Sequence, residues 1–434
     1  MMSSSLSDPR MTAERDHGAD RFSCSLEVVG QRWLAWLQER ALPLWHSRGF
    51  DTETGLYHER LSLTGQPIGG LERRLMVQAR QIATFSQAAL DGLLPEALQT
   101  EAAERALGTL ERVTRLYHRA DGQSGWVFSL NERGEIADPC RDLYGHAFIL
   151  YAHALAGRLA FRRGEASLAV KLRQRALVTL GEVKEIFAAP HGGLHACWAS
   201  APGDRARRSQ NPHMHLLEAL LALHQTWPEP VFLDEAQGLV TLACRKMIHP
   251  ETGYLQEFFQ LDWQPLAGAP ASMRVEPGHQ FEWAWLLGQY GAQAGARLRP
   301  AQAASLHQVA EQLFSLAMRK GFAQSGVNAG FVLDSLDGQG GLCEASVRLW
   351  PQTECLRLLA QHAGRKGGLS ILACLADNVM HRFLPASLQG GWIDRFDAAG
   401  RALSADMPAS SLYHVYGAAR AMVLKSAAGR EKRA

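Results

Sequence analysis

The stretch DTETGLYHE at residues 51–59 returns as HPETGYLQE at residues 249–257. Four further segments share its richness in Gly, aromatic residues and Asp: 121–128, 191–198, 330–337 and 390–397. Each segment joins a turn to a short alternating stretch, which is typical of a small hairpin or a broad loop. The six related segments mark an internal repeat, and the fold depends on what lies between them.

Long segments with apolar residues at helical spacing separate the six loops. Eight of them are predicted as helices: Leu71–Leu90, Pro95–Tyr117, Asp142–Arg163, Ala166–Phe187, Pro212–Thr226, Phe232–Met247, Ala301–Met318 and Ser346–Ala360. Two helices and one loop form each unit, which is longer than the helix pair of a common solenoid. The chain is therefore predicted to be all-α, and six such helical hairpins fit an (α/α)₆ barrel with short β-hairpins in the loops at one rim. An open helical solenoid would show the same periodicity.

Composition and charge exclude several classes of protein. The 45 Lys and Arg nearly balance the 43 Asp and Glu, so the sequence does not predict binding to nucleic acid. Seven scattered cysteines without a CxxC pair indicate reduced thiols, not a disulfide framework or a zinc site. No apolar run reaches the roughly 18 residues of a membrane span. A cytoplasmic protein, monomeric or homodimeric, is expected.

The repeats and the flanking composition also predict the domain organisation. One catalytic domain is expected over residues 21–425. Residues 1–20 are polar, lack the apolar core of a secretory signal, and are predicted to form a disordered leader. Residues 426–434 are predicted to form a basic, flexible tail.

A polar residue that is unusual for its apolar setting lies near the start of one helix in each unit. These six residues, spaced 60–75 positions apart, are Arg80, His146, His215, His279, Glu354 and His414. Buried polar groups without partners are unfavourable, so a simple packed array would have apolar residues at these positions. If the units are arranged around an axis, the six side chains are predicted to converge on a common cavity.

The segment VEPGHQFEWAWLLGQ at residues 275–289 is the clearest candidate for a functional helix. His279, Glu282 and Trp285 follow one another at intervals of three, which places them on one helical face. Histidine is the side chain best suited to proton transfer near neutral pH, and a nearby carboxylate can orient its ring or hold a sugar hydroxyl. The alternative is a core helix with amphipathic aromatic residues.

Two other helix starts carry candidate groups. Arg80 lies in QARQ at 78–81 and, as a permanent cation with five donors, could hold a sugar oxygen or form a buried ion pair. In RDLYGHAF at 141–148, Asp142 is interpreted as a helix cap and His146 as a core histidine with satisfied hydrogen bonds. Tyr144 is a candidate for a hydroxyl that lines the cavity.

The segment NPHMHLLE at 211–218 contains an HxH pair that could suggest a metal site. Residues two apart on a helix point about 200° apart, so His213 and His215 cannot bind one ion from a single face. Asn211 and His215, four apart, share a face and are the better pair for the cavity. No HExxH motif is present, and no metal is predicted.

The last two units add aromatic residues and acids. Trp350 and Glu354, four apart in RLWPQTE at 348–354, match a common sugar-binding pair in which an indole covers the apolar face of the sugar. The alternative is a core tryptophan beside a solvated acid. The final unit offers Trp392 and then His414, which could act opposite His279.

Together these motifs resemble the N-acylglucosamine 2-epimerase family, which includes cellobiose 2-epimerases and the mannose (aldose–ketose) isomerases. The resemblance rests on six motifs in the family's order: QARQ at 78–81, LYGHAF at 143–148, NPHMHLLEA at 211–219, PGHQFEWAWLL at 277–287, WPQTE at 350–354 and YHVYGA at 413–418. It covers most of the chain and implies an (α/α)₆ barrel.

The resemblance also implies roles for individual residues. The two acid/base histidines of the family correspond to His279 and His414, and the arginine near the sugar carbonyl corresponds to Arg80. Substrate-binding roles are implied or expected for Asn211, His215, Glu282, Trp285, Trp350, Glu354, Tyr144 and Trp392.

The chemistry that the resemblance implies is proton transfer at C2 of an open-chain aldose through a cis-enediolate, with neither cofactor nor metal. Return of the proton to C1 gives a ketose, and return to the opposite face of C2 gives an epimer. Reversible isomerisation of D-mannose to D-fructose is predicted, with sugar 2-epimerisation as the alternative. A glycoside hydrolase or lyase, which needs a convergent carboxylate pair, and a non-catalytic binding protein are more distant alternatives.

Overall fold

The computed structural model of the protein describes residues 26–198, 207–266, 273–363 and 368–431. The leader expected at 1–20 lies outside the described residues, as does the end of the expected tail at 432–434, whereas residues 426–431 continue the last helix. No helix in these ranges is long and apolar enough to cross a membrane.

Thirteen α-helices are present in the described ranges. Their bounds are α1 Leu26–Trp36, α2 Leu42–Ser47, α3 Leu75–Asp91, α4 Glu96–Tyr117, α5 Leu143–Arg162, α6 Ala166–Ile186, α7 Asn211–Thr226, α8 Pro230–Leu242, α9 Pro277–Ala294, α10 Pro300–Lys320, α11 Leu349–His362, α12 Gly368–Phe383 and α13 Ser411–Glu431. A π-helical segment, Leu37–Ala41, connects α1 to α2, and another, Ala243–Met247, extends α8. All eight helices predicted from the periodicity are confirmed, with ends within four residues of the prediction when the π-helical extension of α8 to Met247 is included.

Fifteen short strands lie in the loops between these helices. They are β1 Phe50–Asp51, β2 Leu56–Tyr57, β3 Arg60–Ser62, β4 Arg73–Arg74, β5 Ser129–Leu130, β6 Ile136–Asp138, β7 Arg141–Asp142, β8 Cys197–Trp198, β9 Arg208–Ser209, β10 Phe258–Phe259, β11 Ser335–Leu336, β12 Leu342–Glu344, β13 Val347–Arg348, β14 Arg395–Phe396 and β15 Asp406–Pro408. The expectation that strand content is low, with short strands confined to the loops, is confirmed.

The helices form two concentric rings. The inner helices α3, α5, α7, α9, α11 and α13 contact one another in that order, and α13 contacts α3 in turn. Helices α4, α6, α8, α10 and α12 each pack outside the inner helix that precedes them, and α1 packs against α13. The N-terminal helix therefore completes the last hairpin and closes the ring. This is the (α/α)₆ barrel, and the open solenoid is excluded.

The seam between the two ends of the chain is held by backbone pairing and aromatic packing. Strand β15 pairs antiparallel with β3. Trp33 Nε1 donates to the carbonyl oxygen of Ala376 at 3.0 Å. The rings of Trp45 and Trp392 stack with centroids 5.0 Å apart and planes 17° apart. Both indoles are fully buried, so the seam is part of the core.

Backbone pairing also joins neighbouring units around the rim. Strands β4 with β5, β7 with β8, β9 with β10, and β13 with β14 each connect the segment before an inner helix to the loop of the next unit. A single bridge between Val275 and Leu336 makes the equivalent connection elsewhere, and β15 with β3 completes the circle. These connections between units were not predicted, because the sequence indicates only hairpins within each loop.

The start of each inner helix holds the loop of its own unit through one side chain. Backbone N–H groups of the loops at Tyr57, Trp126, Leu194, Leu255 and Val332 donate respectively to Gln78, His146, His213, Gln280 and Gln352. In the sixth unit the N–H of Trp392 contacts the sulfur of Met407 at 3.3 Å. These partners satisfy polar groups that would otherwise be buried alone.

The loop contacts explain two glycines. Gly125 and Gly193 both have positive φ, which favours glycine. A Cβ on Gly125 would lie 2.9 Å from Nε2 of His146, and one on Gly193 would lie 3.2 Å from Nε2 of His213. The glycine in these loops therefore leaves room for the histidine that holds the loop.

This arrangement corrects one prediction about the six polar residues at the helix starts. The six residues do not all occupy equivalent positions. His146, for example, binds the loop backbone through Nε2 and the Asp142 carbonyl through Nδ1. Residues two positions after the loop-binding side chains do occupy equivalent positions, and these include Arg80, His215, Glu282 and Glu354. The interpretation of His146 as a satisfied core histidine is confirmed.

Local sequence signals set several helix ends. Asp142 caps α5 by accepting from the N–H groups of Tyr144 and Gly145, which confirms the predicted cap. Prolines open α8, α9 and α10, where the missing N–H has no helical partner in any case. Gly92, with φ of 67°, ends α3 in the left-handed conformation.

Candidate active site

Two histidines and one indole form the centre of the candidate site at the N-terminal ends of the inner helices. His279 lies in the first turn of α9, Trp350 in the first turn of α11 and His414 in the first turn of α13. The ring centroid of Trp350 is 4.8 Å from that of His279 and 5.8 Å from that of His414. The barrel therefore brings together two histidines that are distant in sequence.

The start of α9 is shaped to let Trp350 approach His279. A Cβ on Gly278 would lie 2.5 Å from Cζ3 of Trp350, well inside van der Waals contact. Glycine at this position lets the indole lie against the first turn of the helix. The Pro-Gly-His motif thus places the histidine and its aromatic neighbour as one unit.

His279 is surrounded by carboxylates. Its Nδ1 donates to Glu257, whose two oxygens are each 2.9 Å away, and a Glu276 oxygen lies 3.6 Å from the same nitrogen. Burial disfavours the charged ring, but the negative charges of Glu257 and Glu276 outweigh burial and raise the pKa of His279. These surroundings favour the protonated ring, which can donate a proton.

His414 has the opposite electrostatic surroundings. Its Nδ1 donates to Oε1 of Glu354 at 2.7 Å, which fixes the tautomer with the lone pair on Nε2. Burial, together with the positive charges of Arg80 and Arg357, lowers the pKa of His414 well below its usual value. Near neutral pH this histidine is a neutral base.

Arg80 lies near His414, since its guanidinium carbon is 5.0 Å from the ring centroid of the adjacent Tyr413. Its Nη2 donates to the hydroxyl of Tyr144 at 2.7 Å and its Nη1 to the carbonyl of Ser410 at 3.1 Å. Its guanidinium carbon lies 4.1 Å from the ring centroid of Phe148. No ion pair between Arg80 and a carboxylate is present in the described part of the chain. Its charge is thus held by neutral partners and is available to an oxyanion.

A carboxylate layer lies below the histidines. His215 Nδ1 is 3.3 Å from a Glu218 oxygen and 3.8 Å from a Glu282 oxygen. Arg357 contacts Glu218 at 3.1 Å and Glu354 at 3.4 Å. Burial, reinforced by the charges of Glu354 and Glu218, raises the pKa of Glu282 well above its usual value. These surroundings favour the protonated form of Glu282, which can both donate and accept hydrogen bonds.

The same layer includes a possible set of metal ligands. His215, Glu218 and Glu282 offer ligand atoms that all lie within 4.8 Å of one another. Glu218 also accepts a hydrogen bond from the hydroxyl of Tyr413 and pairs with Arg357. Because the surroundings favour the neutral form of Glu282, and Glu218 is already paired with Arg357, the three residues suit sugar hydroxyls better than a divalent cation.

Several buried polar atoms at the site have no hydrogen-bond partner among the described residues. They are Nε of Arg80, Oδ1 of Asn211 and both carboxyl oxygens of Glu282. Buried polar groups are normally satisfied, and hydroxyls of a bound sugar would satisfy these. Among the predicted substrate-binding residues, Asn211 and Glu282 carry such atoms, whereas the Tyr144 hydroxyl already accepts from Arg80.

The two tryptophans Trp285 and Trp392 lie apart from this group. Trp285 stacks under Arg357, with the guanidinium carbon 3.4 Å from the ring centroid. It lines a cavity of about 420 Å³ at the opposite end of the barrel, together with Tyr151 and Arg420. The predicted contact of Trp285 with substrate would therefore have to be made from below the carboxylate layer.

Trp392 requires a correction. Sequence analysis places it among the substrate-binding residues, but its indole is fully buried at the seam, stacked on Trp45. It occupies the loop position equivalent to Trp126 and Leu194 in other units. We therefore assign Trp392 to closure of the barrel.

Four charged residues of the site were missed by the sequence analysis: Glu218, Glu257, Glu276 and Arg357. Glu257 had a signal, because it is the last residue of HPETGYLQE, which matches DTETGLYHE. Its counterpart Glu59 accepts from the backbone and side chain of Arg74, so both glutamates hold the next inner-helix start. The face argument for the HxH pair is confirmed, because His213 binds the loop while His215 lies beside Glu218.

Comparison with known proteins agrees with this geometry. A protein of Rhizobium meliloti named mannose-6-phosphate isomerase is 32% identical over 391 residues, which cover 88% of this chain and 93% of that protein. A cellobiose 2-epimerase of Bacteroides fragilis is 27% identical over 272 residues, which cover 60% of this chain and 65% of that protein.

Similarity in three dimensions supports the same fold. The crystal structure of a D-mannose isomerase matches with a TM-score of 0.74 and 20% identity, covering 94% of this chain and 100% of that chain. At this identity the match shows the fold alone. The model of the N-acylglucosamine 2-epimerase (GlcNAc 2-epimerase) family matches residues 55–418. The chain therefore belongs to the N-acylglucosamine 2-epimerase family, whose fold and motifs it carries over most of its length.

Proposed function

We propose that this protein is a sugar isomerase that interconverts D-mannose and D-fructose through a cis-enediolate. The observation that carries the proposal is the pair of histidines on either side of Trp350, each bound to its own carboxylate. The surroundings of His279 favour its protonated form, and those of His414 favour its neutral form. Such a pair provides an acid and a base at the same pH.

In the proposed reaction, Nε2 of His414 takes the proton from C2 of the open-chain aldose while protonated His279 donates a hydrogen bond to O1, where the negative charge develops. The electrons of the C2–H bond form the C1–C2 double bond, and Arg80 stabilises negative charge on the enediolate oxygens. His414 then returns its proton to C1, while His279 gives its proton to O1 and takes the proton of O2. The product is a ketose, both histidines regain their starting states, and no electron leaves the sugar.

The charges around the site favour a neutral sugar over a sugar phosphate. Arg274, Arg348 and Arg395, which surround Glu276 and Glu344, each bind carboxylates within the described part of the chain. A phosphate group needs cations that are not already neutralised. One relative is named for a phosphorylated sugar. A comparison of D-mannose with D-mannose 6-phosphate as substrates is therefore part of the test.

Sugar 2-epimerisation is the second candidate, because the same two histidines could exchange a proton across C2. Resemblance to a cellobiose 2-epimerase supports it. Glycoside hydrolysis is less favoured, because Glu282 is neutral and Glu218 and Glu354 are bound to Arg357 instead of facing each other across a bond.

The test is a product assay by NMR in D₂O with purified protein and D-mannose. Formation of fructose supports the proposal, and formation of glucose moves the protein to the epimerase class. If neither product forms, both candidate functions are overturned for this sugar. The variant His414→Ala should abolish turnover while the protein still unfolds cooperatively at a similar temperature. Turnover that survives this substitution would remove His414 from its role as base.

We further propose that the protein acts in the cytoplasm. No disulfide joins the cysteines of the described ranges, which suits a reducing compartment. Whether it acts as a monomer or a homodimer is a matter for sedimentation analysis, and the proposed site draws every residue from one chain.

A further inference from the structure

Glu276 is placed to influence His279 without orienting it. It precedes Pro277 at the start of α9, and its Oε2 lies 3.6 Å from Nδ1 of His279. The hydrogen bonds that orient the ring are made by Glu257 at 2.9 Å. Glu276 itself accepts from Nε of Arg274 at 2.8 Å and lies 3.5 Å from Nη2 of Arg348. It therefore adds negative charge beside an imidazole whose direction is already set.

The charged groups that face the two histidines differ in sign. His279 faces Glu257 and Glu276, with Arg348 as the opposing cation. Arg274 lies behind Glu276, and His414 is across Trp350.

The groups around His414 favour the neutral ring. Arg80, Arg357 and His279 all disfavour its protonation, and they outweigh the negative charge of Glu218. Glu354 accepts from Nδ1, but burial raises the pKa of this carboxyl and weakens its charge. The resting arrangement, in which His279 is protonated and His414 is neutral, is thus preferred over the reverse arrangement. The surroundings of each histidine contribute to this preference.

This asymmetry separates the two reactions of the proposed site. Isomerisation returns the C2 proton through the same base, so the histidines finish in their resting states. Epimerisation keeps that proton on His414 and delivers the proton of His279 to the other face of C2, so it finishes in the reverse arrangement. Every feature that stabilises the resting arrangement therefore disfavours epimerisation relative to isomerisation.

We propose that Glu276 is a specificity-determining residue, which directs the enediolate toward the ketose by holding the proton on His279. The proposal rests on the proposed isomerase function. Glu276 acts through His279, so it is a positioning residue for charge and not a group that touches the sugar.

The test compares Glu276→Gln with two matched variants. Glutamine retains the shape of Glu276 and removes its charge, and Glu276→Asp retains the charge. Glu344→Gln removes a carboxylate that also binds Arg274 and Arg395 but has no contact with His279. With D-mannose as substrate, Glu276→Gln should raise the ratio of glucose to fructose by about tenfold for each unit by which the pKa of His279 falls. Glu276→Asp and Glu344→Gln should keep the wild-type ratio.

A second measurement does not depend on the substrate. The titration of the Cε1–H signal of His279 is followed by NMR, with the signal assigned by its loss in His279→Asn. Glu276→Gln should move this titration to lower pH, and Glu344→Gln should leave it in place. A titration that Glu276→Gln does not move would overturn the role of Glu276, whatever sugar is turned over.

The outcomes separate the two proposals. If the wild-type protein makes fructose and Glu276→Gln has the same product ratio, the role of Glu276 is overturned. The isomerase function is then unaffected. Wild-type protein that makes mainly glucose overturns the isomerase function, and with it the claim that Glu276 suppresses epimerisation. Cooperative unfolding of each variant at a similar temperature shows that the comparison is between folded proteins.

Discussion

Nδ1 of His414 lies 2.7 Å from Oε1 of Glu354, and the other oxygen of this glutamate lies 3.4 Å from Arg357. Glu354 therefore accepts from both sides. In Glu354→Gln, the amide oxygen would turn toward Arg357 and the NH₂ toward His414, which would then carry its proton on Nε2. A histidine in that tautomer cannot act as the base, so kcat should fall by about 10²–10⁴-fold.

The controls for Glu354→Gln are the single variant His414→Ala and the double variant that combines both substitutions. Because the two residues act as a unit, the double variant should be little worse than His414→Ala alone. Additive losses would mean that Glu354 contributes independently of His414, for example by binding the sugar directly. Initial rates of fructose formation from mannose measure all three variants.

The pH profile of kcat/KM should be a broad bell that includes pH 6.5. The pKa of His279 is raised above 6.5 by Glu257 and Glu276 against the effect of burial, and the reaction uses its protonated form. Activity is therefore lost as pH rises through that pKa. Burial and Arg80 lower the pKa of His414 well below 6.5, and the reaction uses its neutral form. Activity is therefore lost as pH falls through that second, lower value.

Initial rates at low mannose concentration between about pH 4.5 and pH 9.5 measure this profile, which reports on the free enzyme. In Glu276→Gln the alkaline limb should move to lower pH while the acidic limb stays in place. An optimum confined to pH values well below 6.5 would contradict the assignment of acid and base.

Arg80→Met should lower kcat by about 10²–10³-fold, the usual effect of removing one group that stabilises an oxyanion. It should also move the acidic limb of the pH profile to higher pH, because Arg80 helps to keep His414 neutral. Arg80→Lys retains the charge and should keep the limb in place, but it loses the fork that holds Tyr144 and Ser410. Loss of substrate affinity alone, with kcat unchanged, would reduce Arg80 to a binding role.

Removal of divalent cations should leave turnover unchanged. Burial and neighbouring carboxylates raise the pKa of Glu282, and Glu218 is bound to Arg357 and Tyr413, so the cluster with His215 offers little of the charge that a divalent ion needs. Dialysis against a chelator followed by a mannose assay, with metal analysis of the same sample, checks this. Activity that disappears and returns on addition of one cation would reverse the interpretation.

How far the sequence predicts this molecule can be judged from particular residues. The barrel was predictable because the loop repeat and the helical periodicity are both local patterns, and only its closure required the structure. His213 and His215 were correctly separated, since one helix determines which face each occupies. The partnership of His279 and His414 came from the family resemblance, because spacing within one helix says nothing about a residue 135 positions away.

The carboxylates that set the charge states were harder to predict. Glu257 lies in the loop of the same unit as His279, and Arg357 reaches Glu218 across 139 positions of sequence. Such contacts depend on how the inner helices are rotated about the barrel axis, which periodicity does not define. Trp392 was misplaced for the same reason. An indole near the end of the chain could face the cavity or the seam, and only its stack on Trp45 decides between them.

Trp392→Ala should therefore destabilise the barrel without changing recognition of the sugar. Removing a buried tryptophan costs about 3–5 kcal/mol, and here the loss falls on the contact between the two ends of the chain. Because Nε1 of Trp392 has no hydrogen-bond partner among the described residues, Trp392→Phe should retain much of the stability. Urea unfolding measures the loss of stability in Trp392→Ala. KM for mannose in Trp392→Phe tests whether recognition of the sugar is unchanged.

Trp350 provides the matched comparison, since its ring contacts both catalytic histidines and is partly exposed. Trp350→Phe should raise KM and lower kcat with a smaller loss of stability than Trp392→Ala. The opposite pattern, in which Trp392→Phe raises KM and Trp350→Phe does not, would return Trp392 to the sugar site. It would also require the seam to open during turnover, because the indole is fully buried against Trp45 when the ring is closed.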